Sequence, residues 1–208
     1  MNLDLTFLAP LAVLLPLFAA AVTFVLRKHA IAQRIVSIST LSAVLVLESL
    51  MLAWAWVHGA SAVFLGGWAP PFGITMVVDE FSALMLVVSS VVSLAVLVYA
   101  TAQGSADGDE DGPVSVFFPA FMILIAGVSN AFLAGDLFNL YVGFEILLTS
   151  SYVLLTLGGS RERVRAGTTY VVVSIISSLL FLTSIAMIYG ATGTVNMADL
   201  SGKLADLD

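Results

Sequence analysis

Residues Leu137–Leu157 read LFNLYVGFEILLTSSYVLLTL, and the only charge among them is Glu145. A run this long and this apolar predicts a membrane-spanning helix, which needs about twenty residues. At a rise of about 1.5 Å per residue, Glu145 lies roughly 12 Å into a hydrocarbon layer about 30 Å thick. That is close to the midplane. A carboxylate there costs at least a few kcal/mol, so Glu145 is a functional-site candidate by its depth alone. The competing reading is a Glu kept protonated, or bonded to a neighbouring helix, that serves packing.

The rest of the chain agrees with that membrane setting. Of 208 residues, 60% are hydrophobic and 10% charged, and the mean hydropathy is +1.09. Such a composition makes the bilayer the solvent. Without cysteine there is no disulfide framework, thiolate metal site or thiol nucleophile. The net charge of −7 and only seven basic residues exclude a phosphate-binding surface, and with it nucleic acid as a partner. The N-terminus MNLDLTFLAPLAVLL starts with an acid and no base, unlike a cleavable signal peptide. No P-loop, HExxH, GxSxG or dinucleotide motif is present, so nothing supports an enzyme acting on a soluble substrate, and no cofactor or metal is expected.

Six apolar stretches are long enough to span: about Leu5–Leu26, Ile31–Val57, Glu80–Ala102, Val114–Ala134, Leu137–Leu157 and Ala166–Gly190. Lipid cannot satisfy backbone polar groups, so each is expected to be a helix. The predicted fold is an all-α polytopic transmembrane bundle. It divides into 1–113, with three helices and a hairpin at about 58–78; 114–190, with three more; and an amphipathic segment, 191–208. In the hairpin region Gly66-Gly67 and Pro70-Pro71 interrupt β-branched and aromatic runs. Trp54, Trp56 and Trp68 cluster there as an interfacial belt. In the closing segment Met197, Leu200, Leu204 and Leu207 recur at helical spacing, with Asp199, Lys203 and Asp206 between them.

Basic residues orient the bundle. Arg27, Lys28 and Arg34 fall in a loop at 27–34, and Arg161, Arg163 and Arg165 in a loop at 161–165. With six spans both loops lie on one side, which the positive-inside rule makes cytoplasmic. The N-terminus and the hairpin are then outside, in a multi-pass protein of the cell membrane. The loop Gly104–Gly112 is cytoplasmic and acidic; the rule largely ignores acids.

Around Glu145, Tyr141, Thr149 and Tyr152 stand four or seven residues away, on its helix face. Their hydroxyls could hydrogen-bond to the acid or hold waters for proton transfer, although such residues are also ordinary helix packing. Glu48, in LVLESLMLAW, is a secondary candidate: a second proton-handling group or a structural hydrogen bond. Asp79 and Asp136 precede helices and read as N-caps. His29 and His58 read as interfacial residues at helix ends. The run Thr168, Thr169, Ser174, Ser177, Ser178, Thr183, Ser184 reads as small residues for close helix packing.

Two longer blocks carry a resemblance. GGWAPPFGITMVVDEFSALM (Gly66–Met85) and FFPAFMILIAGVSNAFLAGDLFNLYVGFEILLTSSYVLLTLGG (Phe117–Gly159) closely resemble the D subunit of the multisubunit Mrp-type Na⁺/H⁺ antiporters. That family is grouped with the antiporter-like membrane subunits of respiratory complex I. GTVNMADLSGKLADL (Gly193–Leu207) is similar to the family's stretch after helix six. The GDLFNLYVGFE block is specific, and the GGWAPPFGI hairpin favours the Mrp protein over its complex I relatives.

The resemblance implies a core of two inverted five-helix repeats, each with a broken helix. It also implies a fifth-helix glutamate, matched by Glu145, paired with a lysine on a seventh helix. This chain stops before that helix, and is expected to correspond to the N-terminal portion of a subunit about twice as long. In the whole subunit a nearby Lys⁺ would hold Glu145 ionised, and its withdrawal would let a proton bind. The expected function is a membrane subunit of a monovalent cation (Na⁺ or K⁺)/proton antiporter, with other membrane subunits and the lipid bilayer as partners. The alternatives are a proton-translocating subunit of an NADH-quinone oxidoreductase and a non-transporting assembly subunit.

Overall fold

Asp79 opens the span whose structural bounds coincide with those expected from the sequence. Its carboxylate accepts from the Ser82 amide at 2.6 Å while the Ser82 hydroxyl accepts from the Asp79 amide at 2.9 Å. This reciprocal cap satisfies two amides that the first helical turn leaves without partners, and it starts a helix at Glu80–Ala102, the predicted span. The computed structural model describes residues 5–71, 73–103, 116–158 and 160–205. The acidic stretch Gly104–Gly112, Val114 at the start of the fourth expected span, Phe72 and 206–208 lie outside the described residues.

In chain order the elements are α1 (Ala9–Val25), α2 (Ala30–His58), β1 (Ser61–Phe64), β2 (Thr75–Val78), α3 (Glu80–Ala102), α4 (Phe117–Leu133), α5 (Leu137–Thr156), α6 (Arg161–Thr192) and α7 (Met197–Ala205). A 3-10 turn, Leu5–Leu8, leads into α1. The chain forms an all-α membrane bundle with one small hairpin. Among the described residues four helices, α2, α3, α5 and α6, are long and apolar enough to cross a membrane; α1 and α4 are apolar but 17 residues each.

α1 packs against α2 and α4, α2 against α3, and α4 against α5, while α6 leans on α5 at the edge. Two apolar clusters fill the interior. One, at the hairpin end, includes Ala12, Met51, Val78, Leu86 and Leu133. The other includes Leu41, Leu97, Phe118, Met122 and Ile125. Since lipid tails are as apolar as these side chains, close fit rather than water exclusion holds such helices together. The fit is tightest where α4 crosses α5. A Cβ on Gly143 would stand 3.0 Å from Asn130 Nδ2 and 3.1 Å from the Ala131 nitrogen. A Cβ on Gly127 would stand 2.9 Å from the Leu147 nitrogen.

β1 and β2 pair antiparallel, Ser61 opposite Val78 and Phe64 opposite Thr75. Between them Gly66 and Gly67 turn the chain with φ of 68° and 75°, a region that disfavours residues with a Cβ. The hairpin is then tied to the start of α5. Asp136, 3% exposed, does more than the expected cap. One carboxylate oxygen accepts from the Asn139 amide at 2.7 Å and the other from the Thr75 amide at 3.0 Å. The Gly135 amide donates to the Thr75 carbonyl, and the Leu137 amide to the Val195 carbonyl. Asn196 Nδ2 completes the knot on Thr75 Oγ1 at 3.2 Å. Hairpin, α5 and the strand-like approach to α7 therefore share one end of the bundle.

The basic segments need correcting. Arg34 lies inside α2, and Arg161, Arg163 and Arg165 form the first turns of α6 rather than a loop. Ser160 caps α6, accepting from the Arg163 amide at 3.3 Å, and arginine is a good helix former. A hydropathy window discards such a charged turn. At its far end α6 runs past Gly190 to Thr192 and stops at Gly193, whose φ is 69°. α7 is the short helix expected from Met197, with Asn196 Oδ1 accepting from the Asp199 amide at 3.2 Å; Asp206 and Leu207 lie outside the described residues.

Candidate functional site

Glu145 is the ninth residue of α5, half-buried on the side facing α6. Its carboxylate accepts a hydrogen bond from the Ser178 hydroxyl of α6. Ser178 Oγ is in turn 3.1 Å from the Tyr141 hydroxyl. Because Ser178 spends its one proton on Glu145, Tyr141 must donate to Ser178. The result is a directed chain of donors, Tyr141 to Ser178 to Glu145, that ends on a carboxylate. Hydrogen bonds to an ionised acceptor are about twice as strong as neutral ones.

Aromatic rings close the site toward the hairpin. Phe181 of α6 packs edge-on against both Tyr141 and Phe144, each with a centroid separation of 6.0 Å. On the other side the helices part into a cavity of about 380 Å³, lined by Glu145, Thr149 and Tyr152 of α5 and by Tyr170, Ser174 and Ser178 of α6. A second polar tie joins the two helices, from the Tyr170 hydroxyl to Ser151 Oγ at 2.8 Å. The helices can sit this close because a Cβ on Gly167 would come within 2.4 Å of Thr156 Cγ2.

The structure brings Glu145, Thr149 and Tyr152 to one cavity and links Tyr141 to Glu145 through Ser178. Neither Thr149 nor Tyr152 hydrogen-bonds to Glu145 among the described residues, and no basic side chain there pairs with it. Ser178 is the residue that sequence reasoning set aside as packing. The signal for it was the spacing Tyr170, Ser174, Ser178, every fourth residue and so one stripe of α6. Nothing in the sequence says that this stripe, and not Thr169 or Ser177, faces α5.

Glu48 is placed elsewhere, on the inner face of α2 with no exposed surface. Among the described residues no group of three or more His, Asp or Glu side chains is arranged to hold a metal ion. His58 stacks on Trp54, with ring centroids 4.7 Å apart, at the hairpin end of α2.

A bundle of apolar helices carrying a hydrogen-bonded carboxyl in mid-helix defines a polytopic membrane protein with a half-buried ionisable group. Comparison with known proteins narrows this class. Residues 134–206, the stretch holding the site, match the family described as NADH:quinone oxidoreductase/Mrp antiporter, TM. The D subunit of a Na⁺/H⁺ antiporter from Alkalihalophilus pseudofirmus is 36% identical over 95% of this chain and 39% of its own length. Among solved structures, the Mrp complex from Dietzia sp. superposes with a TM-score of 0.85 at 29% identity, covering 99% of this chain and 40% of that one. The membrane-bound sulfane sulfur reductase, an archaeal respiratory membrane complex, gives a TM-score of 0.85 at 30% identity, covering 97% and 41%. Residues 134–206 thus match the domain of that family, and over 95% of its length the chain is similar to the antiporters' D subunit. It spans about two fifths of the length of these relatives.

Proposed function

We propose that this chain is part of the membrane subunit of a monovalent cation/proton antiporter, and that Glu145 is the carboxyl that takes up and releases the proton. The observation that carries the reading is the donor chain from Tyr141 through Ser178 onto Glu145, beside a hydroxyl-lined cavity in mid-helix. A carboxyl serving packing alone needs no cavity on its open side. Here Thr149, Tyr152, Tyr170 and Ser174 offer hydroxyls along which water can deliver or remove a proton. Ser178 and Tyr141 hold the carboxyl at the rim of that cavity.

The surroundings complete the proposal. α1 and α4, at 17 residues, reach the lower limit for a span, giving six. Arg27 and Lys28 precede α2, and Arg161, Arg163 and Arg165 open α6, at the end of the bundle opposite the hairpin. The positive-inside rule puts that end in the cytoplasm and the hairpin outside, in the cell membrane. The exposed apolar face of α6, with Val172, Val173, Ile176 and Leu180, meets lipid or further membrane subunits. A second reading, a proton-handling subunit of a respiratory complex, is favoured by the equal superposition on the sulfane sulfur reductase. The same carboxyl serves either.

The test is Glu145→Gln in the full-length gene and complete complex. Gln keeps the shape and accepts from Ser178 but cannot release a proton, so assembly persists and antiport disappears. Glu145→Asp retains a titratable group set back by one methylene and keeps partial activity. Ser178→Ala removes the donor and lowers the rate with assembly intact. Antiport at the wild-type rate in an assembled Glu145→Gln complex refutes the proposal and favours a non-transporting assembly role.

A further inference from the structure

Glu48 has no exposed surface, and both its carboxyl oxygens lack a hydrogen-bond partner. It is the nineteenth residue of α2, roughly 15 Å from the His58 end at a rise of about 1.5 Å per residue. Two polar side chains face it, Ser90 from α3 and Ser129 from α4. Both are buried, 1% and 3% exposed, and their hydroxyls stand near enough to act on the carboxyl without an aligned hydrogen bond to it.

Among the described residues no charge compensates this acid. α1 and α4 contain no ionisable residue at all. α3 contributes Glu80, ten residues before Ser90, and Tyr99, nine after it, each more than about 13 Å along the helix. Within α2 the nearest ionisable residues are His58 and Arg34, ten and fourteen positions away. Glu145 stands on α5, beyond α4.

A carboxylate without a counter-ion costs many kcal/mol in such an interior. An acid kept to tie helices together would hold aligned bonds to them, and Glu48 has two serine hydroxyls near it but no aligned bond to either. Binding one proton removes the charge: an O–H bond forms on one carboxyl oxygen, with the proton drawn from solvent and returned there on release. The protonated group can then donate to one serine hydroxyl and accept from the other, small rotations that the 1% and 3% exposed serines are placed to make. Four oxygens, two of them hydroxyls, suit a proton. We infer that Glu48, between Ser90 and Ser129, is a second proton-binding site that exchanges its proton with solvent, separate from the Glu145 cavity.

Infrared spectroscopy of the complete complex in sealed vesicles tests this without an antiport measurement, so its outcome is independent of the Glu145 proposal. The carbonyl stretch of a protonated carboxyl moves when D₂O replaces H₂O. We expect one exchange-sensitive band, equivalent to one carboxyl per chain, that is lost in Glu48→Gln and kept in Glu145→Gln. Ser90→Ala and Ser129→Ala keep the acid and change its hydrogen bonding, so each should shift that band, and they decide the matter if Glu48→Gln fails to assemble. A spectrum unchanged by Glu48→Gln, a band that never exchanges, or a band indifferent to both serine variants overturns the inference.

Discussion

Replacing Gly143 by Val should loosen the α4–α5 contact and disturb the site two residues further on. At this crossing a single added Cβ would lie 3.0 Å from Asn130 Nδ2, 3.1 Å from the Ala131 nitrogen and 3.3 Å from the Gly127 oxygen. Two of these neighbours are backbone and the third is a buried amide, 6% exposed, so none can swing aside. Val adds two more methyls behind that Cβ, an overpacking of about 1–3 kcal/mol. Moving Asn130 also breaks its 3.1 Å bonds to the Asn139 carbonyl and side-chain oxygen, each about 0.6 kcal/mol inside a membrane. The sum is about 2–4 kcal/mol, or a melting temperature lower by roughly 5–15 °C for a domain of this size. The assay is thermal unfolding of the detergent-solubilised protein followed by size exclusion. Gly190→Val is the matched control, since nothing lies within 4 Å of a Cβ there. A Gly143→Val protein that melts with the wild type, or a Gly190→Val protein that melts as early as Gly143→Val, would refute the close-approach argument.

Two further expectations concern the end bearing the hairpin and the orientation of the bundle. Asp136→Asn keeps an acceptor for the Asn139 amide but turns an amine toward the Thr75 amide, which now donates at 3.0 Å; a buried donor left unpaired costs about 1–3 kcal/mol. Hydrogen exchange at Thr75 should rise at least about fivefold, and an unchanged rate would separate the hairpin from α5. Because the chain has no cysteine, single cysteines report sidedness cleanly. Arg163→Cys should react with impermeant reagents only from the cytoplasm and Ala69→Cys only from outside, and the reverse pattern would invert the proposed topology.

The sequence by itself determined the class of structure and most of its helices. Composition alone demands a bilayer, and there an unbroken apolar run of about twenty residues, lacking the alternation of a barrel strand, satisfies its backbone only as a helix. Asp79 and Asp136 were legible as caps because a cap is a local bond spanning three residues. α6 was under-read for the same local reason: its first turns are arginines, which a hydropathy threshold excludes although they are helical. Glu145 was conspicuous because charge is rare at such depth. Its partner was not. Whether Ser178 or Ser177 meets Glu145 depends on the rotation of α6 about its axis, and that is set by Gly167 fitting against Thr156 and Tyr152. The second role of Asp136 depends on where the hairpin folds back, sixty-one residues away in sequence. Glu48 likewise reads as an ordinary secondary acid until α3 and α4 enclose it with two serines and no cation. Spacing along a chain fixes which residues share a helix face. Only the packing of one helix on another decides what each face meets.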